Sequence, residues 1–281
     1  ITPLRELHSM LSWAIGTPAS FELYGSPIAG AGLGMDHSLF NKWFKSEGMQ
    51  LLATDVSNLN WNSEIFPMMD LAPEIFGWFK HKVTDLSGLR DTDKVVMRVP
   101  GGTVAQAFRA LDISVNSSLG TPEETIVALS NDEVSAAEFA VPSADICGGD
   151  LPGGMAAHTN YLYIGGVHQT ANITALLFNK TKYDTLSPGQ KEILRLSAEM
   201  YLLKSDDKRA LAQSAAVQYA IDNHGISLED TPLDFISAFR GAVATIYDGL
   251  AANDLSNTSF PTVYNSLKTF AQNHMPYYSR E

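Results

Sequence analysis

Residues 95–139 read VVMRVPGGTVAQAFRALDISVNSSLGTPEETIVALSNDEVSAAEF, and this stretch decides the fold class. Val95–Val99 is a short run rich in β-branched residues, the composition of a strand that is covered on both faces. Proline and glycine end the run, and Thr103–Leu111 then shows the apolar spacing of a helix. A second strand at 113–115, a helix that starts with a capping box, and a third strand at 134–139 follow. The pattern predicts an α/β protein built around a β-α-β-α-β unit.

Two charged side chains interrupt the apolar strands of this unit. Arg98 lies where the first strand gives way to a helix N-terminus, and Glu138 lies near the end of the third strand. In an open α/β sheet this is where ligands bind, because free backbone N–H groups and the helix dipole favour a negative group. The planar guanidinium of an arginine at this position can donate two parallel hydrogen bonds to a carboxylate. A structural ion pair is the competing interpretation, and the two residues alone leave both open.

The composition excludes several classes of function. With 281 residues, of which 45% are hydrophobic and 18% charged, the chain is globular and long enough for two lobes. The formal net charge is −12 and no basic run occurs, so we expect no nucleic-acid partner and no anionic membrane partner. The one cysteine, Cys147, excludes an intramolecular disulfide and a thiolate metal cluster.

Other segments carry weaker signals. Asp36 is expected to cap an amphipathic helix, and Gln50–Ala53 is expected to be a strand. The glycine-rich residues Ile146–Met155 predict a surface loop. Further predicted elements are a helix at 1–13 and strands at 19–24, 161–164 and 173–179.

The last third of the chain has a helical pattern. Ser187 and Gln190 form a second capping box, and the apolar spacing after it predicts a helix that extends towards His224. Globular helices average about 12 residues, so we expect this one to span two lobes or to reach outside its own subunit. Two amphipathic helices, Asp234–Leu250 and Thr262–His274, follow it.

No catalytic motif is present in the sequence. It contains no G-x-S-x-G, no H-E-x-x-H and no P-loop, and its seven histidines show no metal-ligand spacing. Glu74 lies in an apolar, aromatic run, where it is either exposed or turned into a polar pocket. A chain with an arginine suited to an anion, acidic candidate residues and no nucleophile is typical of a binding protein.

Several motifs together carry a resemblance to a known family. VMRVPGG before a helix, the TPEE helix start, SAAEF about forty residues after Arg98, and FNKTKYDTLSPGQKEIL resemble the substrate-binding proteins of tripartite ATP-independent periplasmic (TRAP) transporters. The resemblance covers nearly the whole chain. It implies a two-lobed fold like that of periplasmic binding proteins, with mixed sheets, an interlobe cleft and a long C-terminal helix. It also gives Arg98 the role of the salt bridge to the substrate carboxylate.

Within that family, PEIFGWF at 73–79 is similar to the VQMGGWF segment of a subgroup that binds 2-oxo or 2-hydroxy monocarboxylates with a metal ion. The similarity places Glu74 at the metal-binding glutamine and Glu138 at the metal-binding glutamate. Phe139 corresponds to the aromatic residue whose backbone carbonyl also binds the metal. GVHQ at 166–169 resembles the GWHE loop, which adds His168 to the substrate-binding set. Leu11-Ser12-Trp13 stands in place of Tyr-Tyr-Trp, so the tyrosine contacts are not carried over.

The expected charges of this site argue for a metal ion. A carboxylate ligand at Arg98 leaves Glu74 and Glu138 without a cation, and two ionised carboxylates in a confined site repel each other until one takes a proton. A metal ion removes the repulsion. Because the implied ligand atoms are all oxygens, Ca²⁺ is favoured, with Na⁺ as the alternative.

The resemblance implies a periplasmic solute-binding protein that delivers a small organic acid to TRAP membrane permease subunits. A homodimer is expected from the apolar C-terminal helix and the subgroup's helix-exchanged dimers. The implied division is 1–94 for part of the first lobe, 95–180 for the core of the second, and 181–281 for the long and C-terminal helices. Because the family's mature proteins start about one β-α-β unit before Ile1, we expect a missing N-terminal part and signal peptide.

Two other functions stay open at this point. An enzyme of the lyase or hydrolase type would use Glu74 and Glu138 as acid and base. A scaffold that has lost its ligand would use neither residue. Ligand-dependent stabilisation separates a binding protein from the scaffold, and product formation identifies the enzyme.

Overall fold

A computed structural model describes residues 33–58, 62–71, 73–147, 153–170, 172–252 and 259–278. The predicted helix at 1–13, which includes Leu11-Ser12-Trp13, and the predicted strand at 19–24 lie outside these residues. The chain divides into two compact units. One comprises the residues up to 72 together with 171–209 and 248–281, and the other comprises 73–170 and 210–247. The division at residues 94 and 180 stays a prediction, because compactness does not show which segments fold independently.

The described elements alternate between helices and strands. In chain order they are α1 (His37–Trp43), a π-helical turn (Phe44–Gly48), α2 (Met49–Asn58), β1 (Ser63–Leu71), β2 (Gly77–Phe79), α3 (Leu86–Leu89), β3 (Met97–Arg98), α4 (Gly102–Ala110), β4 (Val115–Asn116), α5 (Pro122–Ser130), β5 (Ala136–Ala137), α6 (Pro142–Cys147), a 3₁₀ turn (Gly154–His158), β6 (Tyr161–Ile164), β7 (Asn172–Asn179), α7 (Lys180–Asp184), α8 (Pro188–His224), β8 (Ser227–Asp230), α9 (Leu233–Ala252) and α10 (Phe260–Tyr278). The α/β class predicted from the sequence is confirmed.

The second unit contains a six-stranded mixed sheet in the order β4-β3-β5-β2-β6-β8. Strand β3 runs parallel to both β4 and β5, so the predicted β-α-β-α-β unit forms the parallel side of the sheet. Strand β2 pairs antiparallel with β5 and with β6, and β8 runs parallel to β6. In the first unit β1 and β7 form an antiparallel pair from Ser63↔Asn179 to Leu71↔Asn172.

An aromatic cluster packs against the sheet of the second unit. Phe76 lies 4.6 Å from Phe235, 5.3 Å from Phe79 and 6.3 Å from Phe108, measured between ring centroids. Each of these side chains is at most 1% exposed. Fully burying one such ring stabilises a fold by about 1.5–3 kcal/mol, so this cluster holds β2 and α4 firmly in place next to the candidate site.

The predicted helix starts are confirmed. The Thr121 hydroxyl accepts a hydrogen bond from the Glu124 N–H at 3.2 Å, and the Glu124 carboxylate accepts one from the Thr121 N–H at 3.0 Å. Ser187 and Gln190 make the equivalent reciprocal pair at 2.9 and 3.3 Å. The Asp36 carboxylate accepts a hydrogen bond from the Leu39 N–H at 2.7 Å. Helix N-caps formed by residues three positions apart are therefore predictable from this sequence.

Two local predictions were wrong. Gln50–Ala53 lies inside α2, where Leu52 and Val56 are buried one helical turn apart, and four residues alone do not show this period. The predicted loop Ile146–Met155 begins in α6 and ends in the 3₁₀ turn, while its middle, 148–152, lies outside the described residues.

The predicted long helix is confirmed as α8, which runs for 37 residues and ends at the expected His224. Its residues up to Arg209 belong to the first unit and those from Ala210 to the second. Among the described helices, none combines the length and the apolarity needed to cross a bilayer.

Candidate functional site

The candidate site starts from Arg98, the last residue of β3. Its side chain is buried, and the chain turns from it into the N-terminus of α4. The Arg98 Nε donates a hydrogen bond to the Leu119 carbonyl oxygen at 3.1 Å, and Nη1 donates one to the Glu138 carbonyl oxygen. These two bonds fix the plane of the guanidinium. No residue in the described ranges accepts a hydrogen bond from its Nη2.

Glu138 reaches the same place from the neighbouring strand. Arg98 pairs with Ala137 in the register between β3 and β5, and the Glu138 N–H donates to the Arg98 carbonyl oxygen at 3.0 Å. The Glu138 side chain is 1% exposed, and its Oε2 lies 3.6 Å from Arg98 Nη1. The prediction that these two charges lie at comparable strand ends is confirmed, since the parallel register of β3 and β5 brings them together.

Glu74 and His168 come from two segments that are held together by their backbones. The Glu74 N–H donates to the Gln169 carbonyl oxygen at 3.0 Å, and the Gly166 N–H donates to the Glu74 carbonyl oxygen at 3.1 Å. This approach needs a glycine, because a Cβ at Gly166 would lie 2.2 Å from the Glu74 carbonyl oxygen. Both side chains are buried, His168 completely. Of the two interpretations of Glu74, the structure supports the buried polar one.

These three side chains converge on one point. His168 Nε2 lies 3.3 Å from Glu138 Oε1 and 3.6 Å from Glu74 Oε2. One ligand atom from each of Glu74, Glu138 and His168 lies within 4.8 Å of the others. Such convergence of two carboxylates and an imidazole is the arrangement that a divalent metal ion needs, so the residues present fit a metal.

Phe139 contributes its ring to the site. The Arg98 Cζ lies 4.3 Å from the centroid of the half-buried Phe139 ring, a cation–π contact. The Phe139 ring covers one face of the guanidinium. The N–H groups at the edge of the guanidinium can still donate hydrogen bonds to a ligand. Binding of a metal by the Phe139 carbonyl stays a prediction.

Arg98 and Glu138 influence each other's protonation. Burial lowers the pKa of Arg98 below its ordinary value, and the charge of Glu138 opposes this most strongly. Burial raises the pKa of Glu138, but the charge of His168, followed by that of Arg98, outweighs it and holds the pKa at about 2. Glu138 is thus held ionised. The charge argument from sequence left out His168, which lies beside both carboxylates.

The sequence reasoning also missed a further buried carboxyl group, that of Asp145 on α6. Asp145 is fully buried, and its Oδ2 accepts a hydrogen bond from Trp78 Nε1 at 2.9 Å. Burial raises its pKa to about 7; the hydrogen bond from Trp78 lowers it and the charge of Glu138 raises it further. In the sequence, Asp145 follows a proline-started turn and looks like an exposed helix residue. Its burial is evident only from the structure, where the Trp78 indole N–H donates a hydrogen bond to its carboxyl group.

Sequence comparison does not place the chain in a known family. No protein-family profile matches it, and no curated protein matches it.

Solved structures do match the fold. One is a TRAP transporter solute-binding protein from Bordetella bronchiseptica, described as a mixed-occupancy dimer with copurified calcium and picolinate in one site and an apo second site. It is 15% identical, and the match covers 94% of this chain and 73% of that one with a TM-score of 0.77.

Two further solved structures are TRAP periplasmic solute-binding proteins with pyruvate bound. The one from Colwellia psychrerythraea also holds calcium; it is 19% identical, covers 92% of this chain and 73% of its own, and has a TM-score of 0.75. The one from Pseudoalteromonas atlantica also holds sodium; it is 19% identical, covers 85% of this chain and 68% of its own, and has a TM-score of 0.69. At these identities the comparison establishes the fold.

Proposed function

We propose that this chain, which has the two-lobed fold of the TRAP periplasmic solute-binding proteins, is itself such a protein and binds a small 2-oxo or 2-hydroxy carboxylate. It captures the acid outside the cytoplasm and delivers it to TRAP membrane permease subunits. The observation that carries the proposal is the buried, oriented guanidinium of Arg98 at a strand end that faces a helix N-terminus.

Arg98 is the residue that binds the carboxylate in this proposal. Two backbone carbonyls and the Phe139 ring fix the orientation of the guanidinium, so little side-chain freedom is lost when a ligand binds. The edge of the group pairs with the carboxylate through charge-assisted hydrogen bonds, which are about twice as strong as neutral ones. Glu138 keeps the arginine charged but does not form a close bidentate pair with it, since the nearest approach is 3.6 Å.

A metal ion held by Glu74 and Glu138 completes the site. The ion would supply a positive charge for the carboxylate and for the 2-oxo or 2-hydroxy oxygen of the ligand. The calcium and sodium in the matched structures support such an ion here. His168 lies beside both carboxylates and contributes to substrate binding at the same point.

A panel of carboxylates tests the proposal by ligand-dependent stabilisation. The panel compares pyruvate, lactate and 2-oxobutyrate with acetate and with a neutral amide of pyruvate. A ligand present at about 100 times its Kd stabilises the folded state by about 2.7 kcal/mol, so the Tm should rise with the logarithm of the concentration of a binding acid. Stabilisation by the 2-oxo and 2-hydroxy acids without turnover supports the proposal. Product formation would support the acid/base enzyme that uses Glu74 and Glu138, and no stabilisation by any acid would support the ligand-free scaffold.

We also propose a homodimer. Ile193, Leu196, Met200 and Leu203 follow a 3-4-3 spacing on α8, and they are 64%, 47%, 54% and 68% exposed. This spacing forms one apolar stripe on a helix, as at a coiled-coil contact. Sedimentation at the dimer mass, and at the monomer mass for Leu203→Glu, is the expected result. A monomer across a wide range of wild-type concentrations contradicts this part of the proposal.

A further inference from the structure

The three converging side chains include a nitrogen ligand, which changes the kind of ion that suits the site. Ca²⁺ and Na⁺ are hard cations that take oxygen ligands. Imidazole nitrogen suits borderline divalent ions such as Zn²⁺, which bind histidine and carboxylates together. The expectation of Ca²⁺ rested on an oxygen-only ligand set. The structure adds the nitrogen of His168 to the carboxylates of Glu74 and Glu138.

The surroundings of His168 are those of a metal ligand rather than those of a histidine that only supports the fold. It is completely buried, and neither ring nitrogen makes a hydrogen bond to any residue that the structure describes. A buried imidazole without such bonds destabilises the folded state, and a bound ion would offset this cost. Its Nε2 lies between the two carboxylates, 3.3 Å from Glu138 Oε1 and 3.6 Å from Glu74 Oε2.

The distances between the ligand atoms agree with a metal site. Zn–N and Zn–O bonds of about 2.0–2.2 Å place the ligand atoms of a tetrahedral site about 3.3–3.6 Å apart. The Nε2 of His168 lies 3.3 Å from one carboxylate oxygen and 3.6 Å from the other. Six-coordinate Ca²⁺, with bonds of about 2.3–2.6 Å, has edges of similar length, so the distances agree with either ion and the nitrogen ligand decides between them.

We propose that His168 is the third protein ligand of this site and that the site binds Zn²⁺-type borderline divalent ions in preference to Ca²⁺. With three protein ligands, the site would keep an open position for an oxygen of the organic acid, as in metal sites that accept a substrate. The inference deepens the proposed function and rests on it in taking this cluster as a metal site.

The test uses metal ions alone. Chelator-treated protein is titrated with Zn²⁺ and, separately, with Ca²⁺ in a calorimeter, for the wild type, His168→Gln, Glu138→Gln and His81→Gln. His81 is an exposed histidine of the same unit and serves as the matched control. The wild type and the control should bind Zn²⁺ at least tenfold more tightly than Ca²⁺. His168→Gln should lose more than tenfold in Zn²⁺ affinity, because removing even a residue that only supports a metal ligand costs about 10–100-fold in affinity. The same variant should keep its Ca²⁺ affinity within a few-fold. Glu138→Gln should weaken both ions.

X-ray absorption of the zinc-loaded protein gives a readout that a merely structural histidine would not change. One imidazole per zinc is expected in the wild type and none in His168→Gln, with unchanged circular dichroism in both. Preference of the wild type for Ca²⁺, or an unchanged Zn²⁺ affinity in His168→Gln, would overturn the proposal. Zn²⁺ binding that depends on His168, with no response to any organic acid, would leave this inference standing and refute the proposed function.

Discussion

Asp145→Asn should make the stability of the protein less sensitive to pH. A carboxyl with a higher pKa in the folded than in the unfolded chain binds its proton more tightly in the folded state. Its contribution therefore lowers the stability as the pH rises from the unfolded pKa to the folded pKa, and it is constant above that. For Asp145 the window runs from the ordinary value of 3.8 to about 7. Asparagine does not titrate, so the variant lacks this loss.

The size of the effect follows from the pKa difference. About 3 units at about 1.4 kcal/mol per unit give about 4 kcal/mol, of which about 2–3 kcal/mol develops between about pH 5 and about pH 8. Asp145 is fully buried, so solvent screening does not reduce this figure. The amide oxygen of asparagine still accepts the Trp78 N–H, while its buried NH₂ group adds a cost that does not depend on pH. The change with pH is therefore the quantity to compare.

Urea unfolding at several pH values, followed by tryptophan fluorescence, measures this difference. The free energy of unfolding of Asp145→Asn minus that of the wild type should rise by about 2–3 kcal/mol from about pH 5 to about pH 8. Asp93→Asn removes an exposed carboxylate of the same unit and controls for the change in net charge. Parallel pH profiles for the wild type and Asp145→Asn would refute the assignment of a raised pKa to Asp145.

Two further predictions concern the fold around the site. Gly77→Ala should lower the free energy of unfolding, measured by urea titration, by more than about 2 kcal/mol. Gly77 has φ +152°, and an added Cβ would lie 2.7 Å from the Ala137 carbonyl oxygen. Gly101→Ala, where a Cβ meets nothing within 4 Å, is the matched control, and equal losses in both would contradict the steric reason. Thr121→Ala should lower the free energy of unfolding by about 1 kcal/mol with an unchanged m-value, because the Glu124 N–H loses the hydroxyl that accepts its hydrogen bond. An unchanged free energy of unfolding would show that this capping box contributes nothing to stability.

The sequence predicts the central unit because its signals are local and agree with one another. Strand composition at Val95–Val99, the glycines that follow it and the Thr121 capping box each specify one element. Parallel pairing of β3 with β5 then places Arg98 beside Glu138. The strand predicted at Gln50–Ala53 failed for the opposite reason. Four residues carry no period, and the burial of Leu52 and Val56 was visible only in the longer segment.

The site was only partly predictable because its residues meet across long sequence separations. Arg98, Glu138, Glu74 and His168 were all named from the sequence or from the family resemblance, and the structure brings the four side chains together. The position of His168 between the two carboxylates depends on backbone bonds between Glu74 and the 166–169 loop, which no spacing rule reports. It changes the expected metal chemistry of the site.

Calorimetric titration of pyruvate tests the central claim, which is that Arg98 binds the ligand carboxylate beside a metal ion. The protein is treated with a chelator and titrated before and after reloading with Zn²⁺ or Ca²⁺, for the wild type, Arg98→Lys, Arg98→Ala and the exposed control Arg109→Lys. The wild type and the control should bind pyruvate at least tenfold more tightly with metal than without it. Arg98→Lys should lose at least tenfold in affinity, because a lysine offers no planar fork, and Arg98→Ala should not bind measurably in any metal state. Pyruvate binding by Arg98→Ala at the wild-type affinity would contradict the account.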